Sequence, residues 1–420
     1  MGASTILQFF SGTIFYNFAV FFNPIRETFG WSATAMSAAF TLRGLETGAL
    51  GPVAGFLVDK VGSRKLMLSG WGLIGLGFLL MSRINSLWTF YGGFMVTALG
   101  VSFGTNVVMN AALSKWFTRK RSRALSIVYI GPGLSGLLAP VFALAINQSG
   151  WRDTLFFTGI ILWIVCLPLC FLFRDNPARY GYLPDGEPIA QKPENVSESI
   201  KSLTDNKNKR KIDSSTQGFT AKEALKTRSF WMLSAIFFFQ QLGASAVNVH
   251  IVAYLESINL PSATAALAVT GFTLFSLVGR AGFGFLGDAA NKRYLLTLAL
   301  ALQTIGMFLL NLIQMDRMWI LVVFLFIFGT GWGAPIPLKP AIQADYFGTK
   351  SIGTIMGLLM LTATIGGLAS PIIAGRIFDV TGSYHLAWQI LGLITLPAVP
   401  LMLLTRPPKA LTETIVQITP

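Results

Sequence analysis

A few ionisable residues stand in apolar surroundings: Arg280, the pair Arg43 and Glu46, His250, and the carboxylates Asp59 and Asp288. A charge held deep in hydrocarbon costs on the order of several kcal/mol unless it is paired or wet, so each is a candidate for function. Arg280 lies in Gly279-Arg280-Ala281-Gly282-Phe283-Gly284. Its guanidinium stays charged at any working pH and offers a planar fork that could hold an anion; the alternative is an arginine that snorkels or pairs at a gate. Arg43 and Glu46 are three apart on one helix face, where they could neutralise each other or line a path in which Arg43 meets an anion and Glu46 takes up protons. His250 could carry a proton near neutral pH or serve as a hydrogen-bonded packing residue. Tyr129 could offer its hydroxyl to an anion or simply pack. Lys339, at the end of its apolar run, reads as a snorkelling residue, with a role in an inner gate as the alternative.

The elements that must position these groups are membrane helices. The chain is 53% apolar and 12% charged, with a mean hydropathy of +0.61, and a soluble chain of 420 residues could not cover such a surface. Apolar stretches of about 20 residues, long enough to cross the bilayer, fall near 3–22, 34–57, 66–82, 88–113, 124–147, 154–173, 229–254, 262–286, 294–312, 318–338, 352–373 and 385–405. The first lacks the basic flank and cleavage site of a signal peptide and is kept as a helix. Cys166 and Cys170 share one helix face and say little about redox compartment.

The twelve spans are two copies of one unit. Gly55-Phe56-Leu57-Val58-Asp59-Lys60-Val61-Gly62-Ser63-Arg64-Lys65 returns, degraded, as Gly284-Phe285-Leu286-Gly287-Asp288-Ala289-Ala290-Asn291-Lys292-Arg293. Lys115-Trp116-Phe117 answers Asp345-Tyr346-Phe347, and Gly136-Leu137-Leu138-Ala139-Pro140 answers Gly367-Leu368-Ala369-Ser370-Pro371, always about 230 positions later. A duplicated bundle implies a transporter with its substrate between the halves. The expected organisation is an N-terminal six-helix bundle at 1–173, a linker at 174–228 and a C-terminal bundle with a short tail at 229–420. The linker is rich in Lys, Glu, Ser, Asp and Asn and buries too little apolar surface to fold throughout.

Orientation follows from the basic residues. Arg26, Arg83, Arg152, Arg317 and Arg376 fall on one side, Arg43 and Arg280 within spans, and the rest of the 32 Lys and Arg on the other. The positive-inside rule then puts both termini in the cytoplasm of an inner (plasma) membrane protein. The same placement explains the net charge of +14 without nucleic acid.

The loop around Asp59 resembles the signature loop of the major facilitator superfamily. The resemblance covers the whole chain and implies an all-α integral membrane fold of twelve helices in two pseudo-symmetric six-helix bundles. Asp59 and Asp288, with Arg64 and Arg293 of the same loops, are then expected to gate one side by pairing with cations and with positive helix N-termini. Gly131-Pro132-Gly133-Leu134-Ser135-Gly136 is similar to the glycine-proline motif of antiporters in this superfamily; close helix packing explains it equally well. The strip around Arg280 resembles the oxalate/formate antiporter and monocarboxylate transporter branch, in which an arginine there binds the substrate carboxylate. That branch's oxalate carrier is expected to add a lysine in helix eleven, and the span 352–373 has no lysine or arginine.

These features imply alternating-access transport of a small organic anion, a monocarboxylate with a proton, with oxalate/formate-type exchange as the alternative and drug or sugar transport behind it. A sensor remains open. An enzyme does not fit: GxxxxGK[ST], HExxH and GxSxG are absent, only two histidines are present, and no cofactor or metal is implied. The expected partners are a small carboxylate, protons and lipid, with the protein a monomer.

Overall fold

The computed structural model describes residues 1–16, 18–31, 49–175, 177–180, 182–186, 218–260 and 262–408. Arg43, Glu46 and the middle of the linker lie outside these residues. The first pass comprises α1 (Gly2–Tyr16) and α2 (Phe18–Phe29), and the second is described as α3 (49–61). The half continues with α4 (Ser63–Ser82), α5 (Leu87–Gly104), α6 (Asn106–Trp116), α7 (Arg121–Leu134) and α8 (Ala139–Phe171). Gly150 (φ 80°) breaks α8 and separates the fifth pass from the sixth, in a conformation that favours glycine.

After the short α9 (Ala221–Leu225), the second half runs through α10 (Arg228–Ser257), α11 (Ser262–Ala289), α12 (Lys292–Leu310), α13 (Trp319–Gly333), α14 (Pro335–Phe347), α15 (Ile352–Thr381), α16 (His385–Thr395) and α17 (Ala398–Leu404). Among the described residues, nine helical stretches are long and apolar enough to cross a membrane. The other three of the twelve passes are the first, split at residue 17, the second, which begins among undescribed residues, and the fifth, interrupted by a tighter turn at Ser135–Leu138.

Two boundaries differ from the sequence expectation. The tenth pass does not end near 338: the helical backbone runs on through Ala334 (φ −57°, ψ −42°) into α14, which continues to Phe347. The sequence places Lys339 at the end of the span, whereas α14 carries it eight residues before Phe347. The eleventh helix runs to Thr381 and so includes Arg376, which is exposed.

Small residues bring the halves together. On α3, a Cβ at Gly55 would lie 2.9 Å from the Thr354 Cα, and one at Gly51 would lie 3.3 Å from the Gly357 carbonyl oxygen. Between α7 and α11, a Cβ at Gly287 would lie 2.8 Å from the Ser122 Cβ. Gly284 stands where Gly55 does in the repeat, and Ser122 and Ser126 stand where Gly353 and Gly357 do. The same close crossing is thus built twice, by backbones that larger side chains would hold apart.

In a variant with Cys166 and Cys170 replaced by alanine, cysteines at Asp59 and Thr354 should form a disulfide under mild oxidant, because these two side chains meet across the halves at 2.9 Å. After proteolytic cleavage of the linker the two halves should then migrate together on a non-reducing gel. Separate halves would contradict the contact.

Candidate functional site

A cavity of about 690 Å³ lies between the halves. The first half contributes Gln8, Asn106, Asn110 and Tyr129, and the second contributes Gln241, Arg280, Trp332, Lys339 and Gln343. None of the described residues lining it is acidic.

Arg280 is 3% exposed. One terminal nitrogen donates to the backbone carbonyl of Tyr129 at 3.0 Å, and the guanidinium carbon lies 5.5 Å from the centre of the Trp332 ring. Its Nε is buried without a hydrogen-bond partner. The Ser126 hydroxyl donates to the Arg280 carbonyl at 2.6 Å, fixing α11 against α7. Tyr129 is also buried, and its hydroxyl donates to Asn110 Oδ1 at 3.0 Å. A desolvated guanidinium on a wall without described carboxylates is suited to bind an anion.

Lys339 is the cation that sequence reasoning misplaced. It does not snorkel from a helix end: it lies half-buried on the cavity wall, eight residues or about 12 Å before the end of α14. Arg280 lies the same eight residues before Asp288. The Lys339 ammonium donates to Gln240 Oε1 and lies 4.8 Å from the centre of the Phe237 ring. Subtracting the repeat offset of about 230 puts Lys339 level with Met109, well inside the fourth span, so the duplication held the missed signal.

At one end of the bundle, carboxylates hold helix N-termini across the halves. Asp59 accepts from the backbone N–H groups of Gly353 (3.2 Å) and Thr354 (2.8 Å) and from the Thr354 hydroxyl (2.9 Å), at the start of α15. Lys115 Nζ is 4.0 Å away. Asp288 accepts from the N–H groups of Ser122 (2.8 Å) and Arg123 (3.1 Å) at the start of α7, with Arg123 Nε at 3.6 Å. The positive end of a helix and its unpaired N–H groups favour a carboxylate in this position.

The loop arginines are placed elsewhere. Arg64 lies 5.2 Å from the Phe171 ring centre, and Arg293 lies over Tyr294 and donates to its hydroxyl at 2.9 Å. The two loops also turn differently: Gly62 has φ 95°, whereas Asn291 has φ −66° and accepts from the Arg293 N–H.

Further charged groups at this end were not singled out from sequence. Arg121, 4% exposed, pairs across the halves with Asp345 at 2.5 Å, and Lys292 reaches the other Asp345 oxygen at 2.8 Å. Asp345 occupies the repeat position of Lys115, so the mismatch in the echo marked this bridge. Near the linker start, Asp175 accepts from the N–H groups of Ser63 (2.5 Å) and Arg64 (3.3 Å), and Asp185 from those of Thr118, Arg119 and Lys120. Both ends of the linker are therefore docked, because Phe219 N donates to the Phe347 carbonyl at 2.8 Å.

His250 is not among the cavity-lining residues. Its Nε2 is 2.9 Å from the Pro371 carbonyl, which can only accept, so Nε2 carries the hydrogen; in the neutral ring Nδ1 accepts from Tyr384 at 3.1 Å. It joins α10, α15 and the entry to α16.

Asp288→Asn should weaken the hold on α7 by about 1 kcal/mol, the usual scale of a helix cap. A cysteine at Ser126 should then react faster with a membrane-impermeant maleimide than in the parent. Asp175→Asn, which disturbs a cap within one half, should lower thermal stability without that change. Equal labelling of all three proteins would contradict a cross-half hold.

The sequence profile of the Major Facilitator Superfamily matches residues 4–257 and again 233–415. The oxalate:formate antiporter of Oxalobacter formigenes is 24% identical over 363 residues, covering 85% of this chain and 80% of that protein. Monocarboxylate transporter 12 of Mus musculus is 27% identical over 365 residues, covering 81% and 71%. Among solved structures, the human organic anion transporter TETRAN superposes with a TM-score of 0.71 at 11% identity (96% and 98% covered). The E. coli fucose:proton symporter gives 0.68 at 14% identity, with the same coverage. With its duplicated bundle, its carboxylates on opposing helix ends and this match over nearly its full length, the chain belongs to the Major Facilitator Superfamily and is a membrane transporter, not an enzyme.

Proposed function

We propose that the protein carries small carboxylates by alternating access, with the anion held between Arg280 and Lys339. The placement of two cations, Arg280 and Lys339, on the wall of a cavity without described acids carries this reading. The names of the relatives, an oxalate:formate antiporter and monocarboxylate transporters, agree with an anionic cargo. Asp59 and Asp288 close the cytoplasmic side, where the basic residues concentrate, and both termini lie on that side of the cell membrane.

Lys339 alters the expected charge of the cargo. One arginine alone would favour one carboxylate; two cations balance two negative charges, as in a short dicarboxylate. A cavity that returned empty would carry two unmatched cations through a closed state, at the cost of unpaired buried charge, so exchange of one anion for another fits the geometry better. A monocarboxylate with a proton is the second reading, and it requires Lys339 to cross neutral or Glu46 to take the proton.

Arg280→Ala should lower carboxylate affinity about 10- to 100-fold, the worth of one or two charge-assisted hydrogen bonds. Arg280→Lys should restore little, because a point charge lacks the fork. Lys339→Gln should weaken oxalate more than formate. Competition among lactate, formate and oxalate at two pH values in proteoliposomes decides between the readings: oxalate strongest at neutral pH supports exchange, and lactate uptake that rises as external pH falls supports proton coupling. Wild-type affinity in both Arg280→Ala and Lys339→Gln would refute the site.

A further inference from the structure

We infer that Gln303, on α12 and outside the cavity wall, is a positioning residue that presents Lys339 to the second negative charge of the cargo through Gln240. The inference rests on the proposed role of Lys339 as an anion anchor. Gln303 is 3% exposed and Gln240 4% exposed, so neither amide is satisfied by bulk water. The Gln303 side-chain nitrogen donates to the Gln240 backbone carbonyl at 2.8 Å. That carbonyl can only accept, so the Gln303 amide has one permitted orientation, with Oε1 turned to the Gln240 side chain. The Gln240 side-chain nitrogen donates to Gln303 Oε1 at 3.0 Å. The Gln240 oxygen is thereby left for Lys339, whose ammonium donates to it.

The orientation is thus passed from a backbone carbonyl through two amides to the ammonium. Without Gln303 the Gln240 amide would be free to flip, and its nitrogen would then face Lys339, donor against donor. The site is also built for the pair: a Cβ at Gly243 would meet Gln303 Nε2 at 3.3 Å and Met307 Sδ at 3.0 Å, and one at Gly331 would lie 2.7 Å from the Gln303 backbone nitrogen. Two glycines clear the space in which a buried glutamine reaches the neighbouring helix. One Lys339 N–H is used by Gln240, and the ammonium has two more for a ligand.

The measurement is equilibrium binding of oxalate and of formate to the purified full-length transporter. Gln303→Leu should weaken oxalate by about tenfold, the scale of one lost hydrogen bond to a charged group, and change formate less than about twofold on the same scale. Gln303→Glu supplies a readout that packing alone would not move. Protonated, the glutamic acid still donates to the Gln240 carbonyl; ionised, it turns an oxygen against that carbonyl. Oxalate affinity in Gln303→Glu should therefore fall more steeply as pH rises than in the parent protein, which shares Lys339 but lacks the added carboxyl group.

If Lys339→Gln weakens oxalate but Gln303→Leu binds both anions as the parent does, the positioning role is overturned and the anion site stands. Equal weakening of both anions in Gln303→Leu, with a pH profile of Gln303→Glu parallel to the parent's, would reduce Gln303 to packing and overturn the inference. If Lys339→Gln itself leaves oxalate binding unchanged, the anchor fails and the inference falls with it. Should Gln303→Leu not fold, the Gln303→Glu profile decides alone.

Discussion

The constraint on which this structure depends is the cost of an unmatched cation away from water. Arg280 sits at 3% exposure with one N–H on a backbone carbonyl, a tryptophan face beside it and its Nε unanswered. A carbonyl and a ring face soften the burial of a guanidinium without neutralising it. A carboxylate from the protein would neutralise it, and the described cavity wall has none. A bound anion would do the same, and on the proposed reading that anion is the cargo. Lys339 sharpens the same imbalance, because Gln240 and Phe237 hold it without cancelling its charge.

The duplication explains why the described cations, Arg280 and Lys339, stand on one side of the cavity. Counted by the repeat, Arg280 occupies the place of Gly51 in the first half. Gly51 lets α3 approach Gly357 closely; at the equivalent crossing, Ser126 donates to the Arg280 carbonyl, so the backbones still meet while the longer side chain turns along the interface to Tyr129. The wall of the first half offers amides and hydroxyls through Gln8, Asn106, Asn110 and Tyr129. Its repeat supplied the frame, and substitutions in the second copy supplied the charge.

Much of this was legible in the sequence, for a physical reason. Hydrocarbon imposes long apolar runs, so the twelve passes, the repeat and the buried Arg280 all leave marks in a linear reading. The cross-half position of Asp59 and Asp288 followed from a carboxylate at one helix end and the need of another helix end for an acceptor. Lys339 was missed because proline and a charge imitate the end of a span, and only the repeat register corrects that impression. Gln303 left no mark: a neutral amide in an apolar helix gains its meaning from the residue it faces. The partners of Arg64 were likewise set by tertiary contacts with Phe171 and Asp175 that no spacing encodes, whereas Arg293 turns to its own neighbour, Tyr294.

The carboxylate end and the cavity divide the proposed transport cycle by cost. Separating the halves at Asp59 and Asp288 would exchange hydrogen bonds at helix N-termini for bonds to water, and such exchanges are individually small. Leaving Arg280 and Lys339 bare in a closed bundle is much less favourable. The end that opens is therefore built from replaceable contacts, and the centre from charges that call for cargo. The two latches are also unequal. When Asp288 withdraws from α7, Asp185 still holds the N–H groups of Thr118, Arg119 and Lys120 from within the same half. Before α15 the linker grips the end of α14 through an antiparallel bridge between Gly218 and Gly348, which includes the Phe219 to Phe347 bond, and through the packing of Phe219 against the Phe347 ring. On the proposed cycle the α7 terminus would keep a carboxylate of its own half when the halves part, whereas the carboxylate described at the start of α15, Asp59, comes from the other half.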